Sequence, residues 1–556
     1  MQPSPNRTAS MAVAVVLALA LALAALVVSG GCASSSAMRD ASATSRSPAA
    51  SNEIVDLASE FLSTACQAPP GADFAKAWLA YEDRHRRFFD AIYYTTEAYR
   101  AERVTLAEAL GPRRDEVCGQ VRAFLVTAPG TIERLRARVT DLLGHAPRSP
   151  IYFAVALQGA DGRADIFDNQ QVLALNARHD TFARTTCLAV TLAHELIHDV
   201  QTAAATPGVD QSLSPVARAL YREGGAVFGV QRLFPEIGAR ALGLRPEQVE
   251  RADVVAPQAA QELLRLIRAP DLDLNLDLDP GAEALQRFFN GGYADPLYPP
   301  KMGYYLGNKI YRALAERLGA AASRVSASAF LTEADAYLAD LSRQSVQVPP
   351  PGADRPAIIA VRDAFLAKAR SAGLVLSFLP EVREWTRPSM ISWRQEVRAV
   401  AVPRWDELSE PQRSLLVRMV GGDGGSRHLF DVLFRWFLVP HELTHALQDN
   451  LARVRMDHAM GERMANDVAV AFLAAIPESR RPLFALALVL VQAKERLPSL
   501  ANFQDEEALN RYFNDHYDEL GRDLPQYGAF QVHFILDSLR RLDALRFEEA
   551  VRRAVD

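Results

Sequence analysis

Two stretches of this chain carry residues of the types and spacing that metal chemistry needs: His194-Glu195-Leu196-Ile197-His198 and His441-Glu442-Leu443-Thr444-His445. Each reads HExxH. On a helix, residues four apart lie on one face, a turn apart. The two imidazoles of each motif can therefore grip one Zn²⁺, with Glu195 or Glu442 aimed at a water the metal holds. Zinc brings that water's pKa to about 7, within reach of a carboxylate base at neutral pH. The chemistry so equipped is amide hydrolysis. Four of the 11 His in the 556-residue chain fall in these two motifs, a concentration that surface hydrogen bonding on two helices does not call for.

Hydrolytic zinc takes three protein ligands and leaves one position open. A metzincin would place Gly and His where Gln201 and Ala204 stand, and where Gln448 and Leu451 stand in the second copy. Glu223, within Tyr221-Arg222-Glu223-Gly224-Gly225-Ala226, is the natural third ligand on a second helix. Together, His194-Glu195-x-x-His198 and Glu223-Gly224-x-Ala226 resemble the gluzincins, the thermolysin-like clan of zinc metallopeptidases. The match rests on those residues and covers part of the first half of the chain. It implies that His194, His198 and Glu223 bind zinc, that Glu195 is the general base, and that Gly224-Gly225 let their helix approach the HExxH helix closely. Such enzymes add a Tyr or His donor for the oxyanion, a role worth a few kcal/mol. Tyr304 and Tyr305, after Pro299-Pro300, are the candidates, although Leu306, Ile310, Leu314 and Leu318 form an apolar stripe that could make core of them.

His441 and His445 need a carboxylate of their own, and Glu462 opens an apolar-periodic stretch in Gly461-Glu462-Arg463-Met464-Ala465-Asn466-Asp467. That Glu-x-x-Ala-Asn pattern is similar to the third-ligand helix of other gluzincins, which implies that Asn466 or Asp467 steadies a ligand His. Pro440 predicts a helix that starts or kinks at the motif. Ala529-Phe530 stands where the first half has its Tyr pair, leaving His516 or His533 as substitutes. The second centre therefore reads as zinc-binding with its catalysis open.

The elements that must hold these groups can be read around them. Asn52 to Leu143 is helical in pattern, Ile151–Leu157 and Gln171–Leu175 read as strands, and Asp180 can cap the first HExxH helix. The strand just before that helix fits a sheet edge open to an extended peptide. After the Pro-rich stretch 346–356 the first half is restated: Glu283–Asn290 matches Glu507–Asn514, Tyr293 matches Tyr517, and Gln201 and Gln448 each follow the last His by three residues. The fold expected is α+β, predominantly helical, with two tandem zincin-like units, each with a small sheet edge above its HExxH helix. Their bounds are 53–345 and 357–556, with 346–356 as linker.

Residues 1–32 are a targeting segment, with Arg7 ahead of the apolar run Met11–Val28. Val28-Ser29-Gly30-Gly31-Cys32 resembles a bacterial lipoprotein lipobox, with Ser29 where Leu is usual. The resemblance implies lipidation at Cys32 and, with Ala33 following, an outer-membrane destination. An uncleaved membrane anchor and a plain secretory signal remain alternatives, and all three place the body outside the cytoplasm. Residues 33–52 are an Ala/Ser-rich tether. In an oxidising compartment Cys66 and Cys118 could pair, or all of Cys66, Cys118 and Cys187 could be buried thiols. Asp271–Asp277 lacks the Gly and Glu of a calcium loop and reads as a solvated turn or edge strand.

A net charge of −6 and the absence of a basic stripe argue against a nucleic-acid partner. The function expected is a zinc metallopeptidase of the cell envelope, with one or two Zn²⁺ per chain and a peptide or protein substrate. A catalytically inactive envelope binding or assembly protein stapled by zinc is the rival. A zinc hydrolase of non-peptide amides is a third reading.

Overall fold

In the computed structural model, which describes residues 53–556 apart from 70–72, 95–96, 158–160, 179–184, 205–212, 269–279, 291–293, 345–347, 349, 386–389 and 455, short apolar runs of the first half build one mixed sheet. Its strands are β1 (Ile54–Asp56), β2 (Ile151–Ala154), β3 (Gly162–Phe167) and β4 (Gln170–Asn176), in the order β1-β2-β4-β3. β2 lies parallel to β1 and β4, and β3 runs antiparallel to β4. The β3–β4 turn is Asp168-Asn169, with φ of +49° and +62°, the left-handed pair that a two-residue type I′ hairpin requires and Asp and Asn tolerate. The sequence reading expected the strand before the HExxH helix at the edge. That strand is β4, which is interior, and the edge beside it is β3, where Arg163 and Asp165 alternate with Gly162, Ala164 and Ile166.

The helices of this first unit that matter for the site are α1 (Phe74–Arg84), α2 (Arg114–Leu143), α3 (Thr185–Ala203), α4 (Pro215–Leu233), α5 (Pro280–Phe289) and α6 (Met302–Leu318). Leu192, Leu196 and Ile197 of α3 join Phe153 of β2, Leu173 and Leu175 of β4, and Trp78 of α1 in one buried core. The Trp78 indole donates to the Val155 carbonyl at 3.1 Å, so a large ring is buried with its only donor satisfied. Ser214 caps α4 by accepting from the Ala217 amide, with Pro215 at the first helical position. Cys66 is disulfide-bonded to Cys118 of α2, which decides between the pair and the free thiols.

The second unit has a smaller mixed sheet of its own. Strands β5 (Glu381–Glu384), β6 (Ser392–Arg394) and β7 (Ala399–Val402) form a sheet in the order β5-β7-β6, with β5 parallel and β6 antiparallel to β7. Helices α7 (Leu438–Leu451), α8 (His458–Ala474), α9 (Glu506–Asp515) and α10 (Leu524–Arg540) follow. The segments that match in sequence, Glu283–Asn290 and Glu507–Asn514, fall on α5 and α9. Pro440 lies inside α7, whose helical path begins earlier. A π-turn over Leu433–Phe437 comes just ahead of it, and the Leu438 amide reaches back five residues to the Leu433 carbonyl. A wider turn there is how a helix accommodates a ring that clashes with the preceding turn and donates nothing.

By contacts along the chain, the first unit is Met1–Pro246 with Ala259–Tyr293 and Pro300–Arg343, and the second is Glu247–Gln258 with Ala294–Pro299 and Gln344–Asp556. Cys32, the tether 33–52, Asp180, Asp271–Asp277 and Tyr293 lie outside the described residues, as does the side chain of Cys187.

Candidate metal centres

Helical periodicity brings His194 and His198 together on α3, and the crossing of α4 brings Glu223 to them. The imidazole Nε2 atoms are 3.0 Å apart, and Glu223 Oε2 lies 3.2 Å from His194 Nε2 and 3.3 Å from His198 Nε2. Two ligands of a tetrahedral zinc with bonds of about 2.05 Å stand about 3.3 Å apart. The donor set fits one such ion. Burial by itself would raise the Glu223 carboxyl, but His198 and His194 outweigh it and hold the group well below the ordinary carboxylate range.

A third residue orients this set. Gln201 accepts from His198 Nδ1 at 3.0 Å and donates to the Arg222 carbonyl at 3.3 Å. Because its amide nitrogen is committed to a carbonyl, its oxygen faces the ring and keeps the proton on Nδ1, leaving Nε2 as the free lone pair. Arg222 immediately precedes Glu223, so one side chain ties a His ligand to the backbone of the helix that carries the carboxylate. Asp199 fixes the other side of α3, accepting from the amides of Arg148 and Ser149 and from the Ser149 hydroxyl.

The two glycines expected to face the HExxH helix divide, one meeting α6 and the other α3. A Cβ on Gly224 would lie 2.5 Å from the Gly307 carbonyl carbon, so Gly224 faces α6 rather than α3. A Cβ on Gly225 would lie 2.5 Å from Gln201 Nε2, so this glycine leaves room for the orienting amide. Close approach to α3 thus falls at Gly225, against Gln201, and at Gly229, against Ile197.

Glu195 and His194 line a small cleft with Asp161, Thr191, Lys301 and Tyr304. The Tyr304 ring lies parallel to that of His194, with centroids 6.2 Å apart. Tyr305 does not line the cleft and has Lys309 over its ring. Of the expected stripe, Leu306, Ile310 and Leu314 are buried, whereas Leu318 is exposed.

The second centre is built in the same way. His441 and His445 Nε2 are 3.1 Å apart, and Glu462 of α8 lies 3.1 Å from His441 and 3.8 Å from His445. Gln448 accepts from His445 Nδ1 at 2.7 Å and donates to the Gly461 carbonyl at 3.3 Å, again the residue before the carboxylate. Asn466 accepts from His441 Nδ1 at 3.0 Å, whereas Asp467 is engaged by Ser538 and Arg541. Gln531 of α10 donates to Glu462 at 3.1 Å. Burial pulls the His445 pKa down, but the Glu462 carboxylate more than offsets this and sets it at about 9. The same pairing overcomes burial and holds Glu462 well below its ordinary value.

Glu442 is held by its sheet. The Trp393 amide of β6 donates to its carboxylate at 2.6 Å, and burial raises its pKa. His516 and His533 are engaged elsewhere, with the Tyr512 carbonyl and with Glu506. The phenols that feel this centre are Tyr517 and Tyr527, whose pKa values are raised by burial and further by the charges of Glu462 and Glu442. Sequence reading passed over Tyr527. The signal was its place one turn before Gln531 on the same helix face.

Among the described residues these two His/His/Glu sets are the clusters able to hold a metal ion. No family model, curated protein or solved structure matches the chain.

Proposed function

We propose that the chain is a two-centre zinc protein of duplicated zincin-like design, and that its first centre hydrolyses peptide bonds. The observation that carries the hydrolytic reading is the cleft in which Glu195 and Tyr304 meet beside His194, one of three convergent ligands. Zinc bound there would supply a Lewis acid and a water acidic enough to ionise near neutral pH. Glu195 takes a proton as general base and returns it to the departing amine. The Tyr304 hydroxyl is the donor for the oxyanion. β3 is the edge strand of its sheet and begins at Gly162, where an added Cβ would lie 3.2 Å from Glu195 Cγ. An extended peptide pairing with that edge would pass the base.

The rival reading, a catalytically inactive binding or assembly protein with structural zinc, is favoured by two observations. The cleft at the first centre has a volume of about 20 Å³, enough for a single water. Glu442 is bonded to a backbone amide. For location, we propose a cell-envelope protein held through a lipid on Cys32 or an N-terminal anchor, which the Cys66–Cys118 disulfide supports.

Elemental mass spectrometry on the full-length protein, His194→Ala and His441→Ala tests the metal reading. Two zincs are expected, falling to one in each variant. Glu195→Gln should keep both zincs and lower cleavage of a peptide library by about 10²–10⁴-fold. Zinc-loaded protein with no peptidase activity, and a Glu195→Gln, Glu442→Gln double variant with an unchanged phenotype, would establish the scaffold instead.

A further inference from the structure

The two centres share their ligands and their glutamine but differ in how completely the ligands are held. In the second, every ligand has an outer partner: Asn466 on His441, Gln448 on His445 and Gln531 on Glu462. In the first, Gln201 holds His198. Among the described residues no side chain bonds His194 Nδ1, and Glu223 has no partner besides the two imidazoles. The difference is written in the helices. One turn beyond the carboxylate ligand stands Asn466 on α8 but Val227 on α4. Both are buried, Asn466 at 0% and Val227 at 1% exposure. α10 reaches Glu462 through a glutamine, whereas α6 meets α4 through Gly307, which has no side chain to offer.

We infer that the centres are functionally unequal metal sites. The second holds its zinc as a permanent structural ion, and the first is the exchangeable one, loaded and emptied by ambient zinc. This inference rests on the zinc reading of both centres. A partner that fixes the orientation and tautomer of a ligand is worth about 10–100-fold in metal affinity. Two partners present only in the second centre separate the affinities by about 100-fold or more.

The test is a chelator series on full-length protein loaded with two zincs, with zinc per chain counted at each free-zinc level. His194→Ala and His441→Ala, each holding one zinc, assign the two steps. Loss in two steps at least tenfold apart, with the tight step surviving in His194→Ala, is the expected result. Asn466→Val should narrow the gap by about 10–100-fold, and Gln531→Met should act in the same direction if the first variant does not fold. Val227→Asn should tighten the first centre. Two zincs leaving within threefold of each other, or a tight step that survives only in His441→Ala, overturns the inference while leaving the metal sites standing. Protein that binds no zinc at all overturns the metal reading, and this inference with it.

Discussion

Replacing Gly307 by Ala perturbs the first centre without touching a ligand. An added Cβ there would lie 2.7 Å from the Leu220 carbonyl oxygen and 2.8 Å from Gly224 Cα. Both are backbone atoms, so no side chain can swing aside. Restoring an ordinary separation of about 3.5 Å requires α4 and α6 to part by about 0.7 Å. Glu223 precedes Gly224 on α4 and moves with it, whereas metal–ligand distances tolerate about 0.2 Å. Overpacking of this kind costs about 1–3 kcal/mol, against about 0.5–1 kcal/mol gained by replacing Gly with Ala in a helix. If the metal-free protein relaxes by separating the helices, binding must reverse that separation, and zinc affinity at the first centre falls about 5–150-fold. The assay is competition with a chromogenic chelator, with melting of the metal-free protein alongside. Gly119 of α2, where an added Cβ meets nothing within 4 Å, is the control: Gly119→Ala should raise stability and leave zinc untouched. Gly307→Ala protein that binds both zincs at wild-type affinity and gains stability like the control would refute the close crossing as the device that sets Glu223.

Two further predictions concern pH and redox state. His445 has a folded pKa of about 9 in the metal-free protein, above its ordinary 6.5. Its contribution to the metal-free second unit is therefore complete below pH 6.5 and lost as pH rises through 9, while zinc affinity there climbs over the same window as the competing proton leaves. Melting curves and chelator competition between pH 6 and 10 check this, and a flat profile in both would exclude it. The Cys66–Cys118 bridge closes a loop with a sequence separation of 52, so Cys118→Ser should cost about 4 kcal/mol of stability. Denaturant unfolding with and without reductant measures it, and equal midpoints would rule the bridge out as a stabilising element.

Much of the chemistry was legible in the chain because it is local. The 3.6-residue turn puts His194 on the face of His198, and His441 on that of His445, whatever the rest of the protein does. Glu223 could be named from its place in a Glu-Gly-x-Ala run downstream of the first motif, and Glu462 from the apolar-periodic stretch that it opens after the second. Helix-start chemistry such as Ser214-Pro215 is equally local, since it depends on a few adjacent peptide groups. The recurrence of Glu283–Asn290 as Glu507–Asn514 was legible as sequence, and each segment falls on a helix, α5 and α9.

What only the tertiary structure decided depends on which side chains meet across long separations. Cys66 could pair or stay a thiol until its distance to Cys118 was known. β3 went unread although Arg163 and Asp165 alternate with Gly162, Ala164 and Ile166, because pairing with β4 across the Asp168-Asn169 turn is what makes so short and polar a run a strand. Gly224 was expected to face α3 and faces α6, a matter of helix crossing that sequence spacing does not specify. Gln201 and Gln448 were visible as landmarks, but their task became clear only when their amides were seen to span a ligand ring and the backbone before a carboxylate. Periodicity places ligands on a face, and the packing of one helix on another decides the distances, partners and strength with which they can hold a metal.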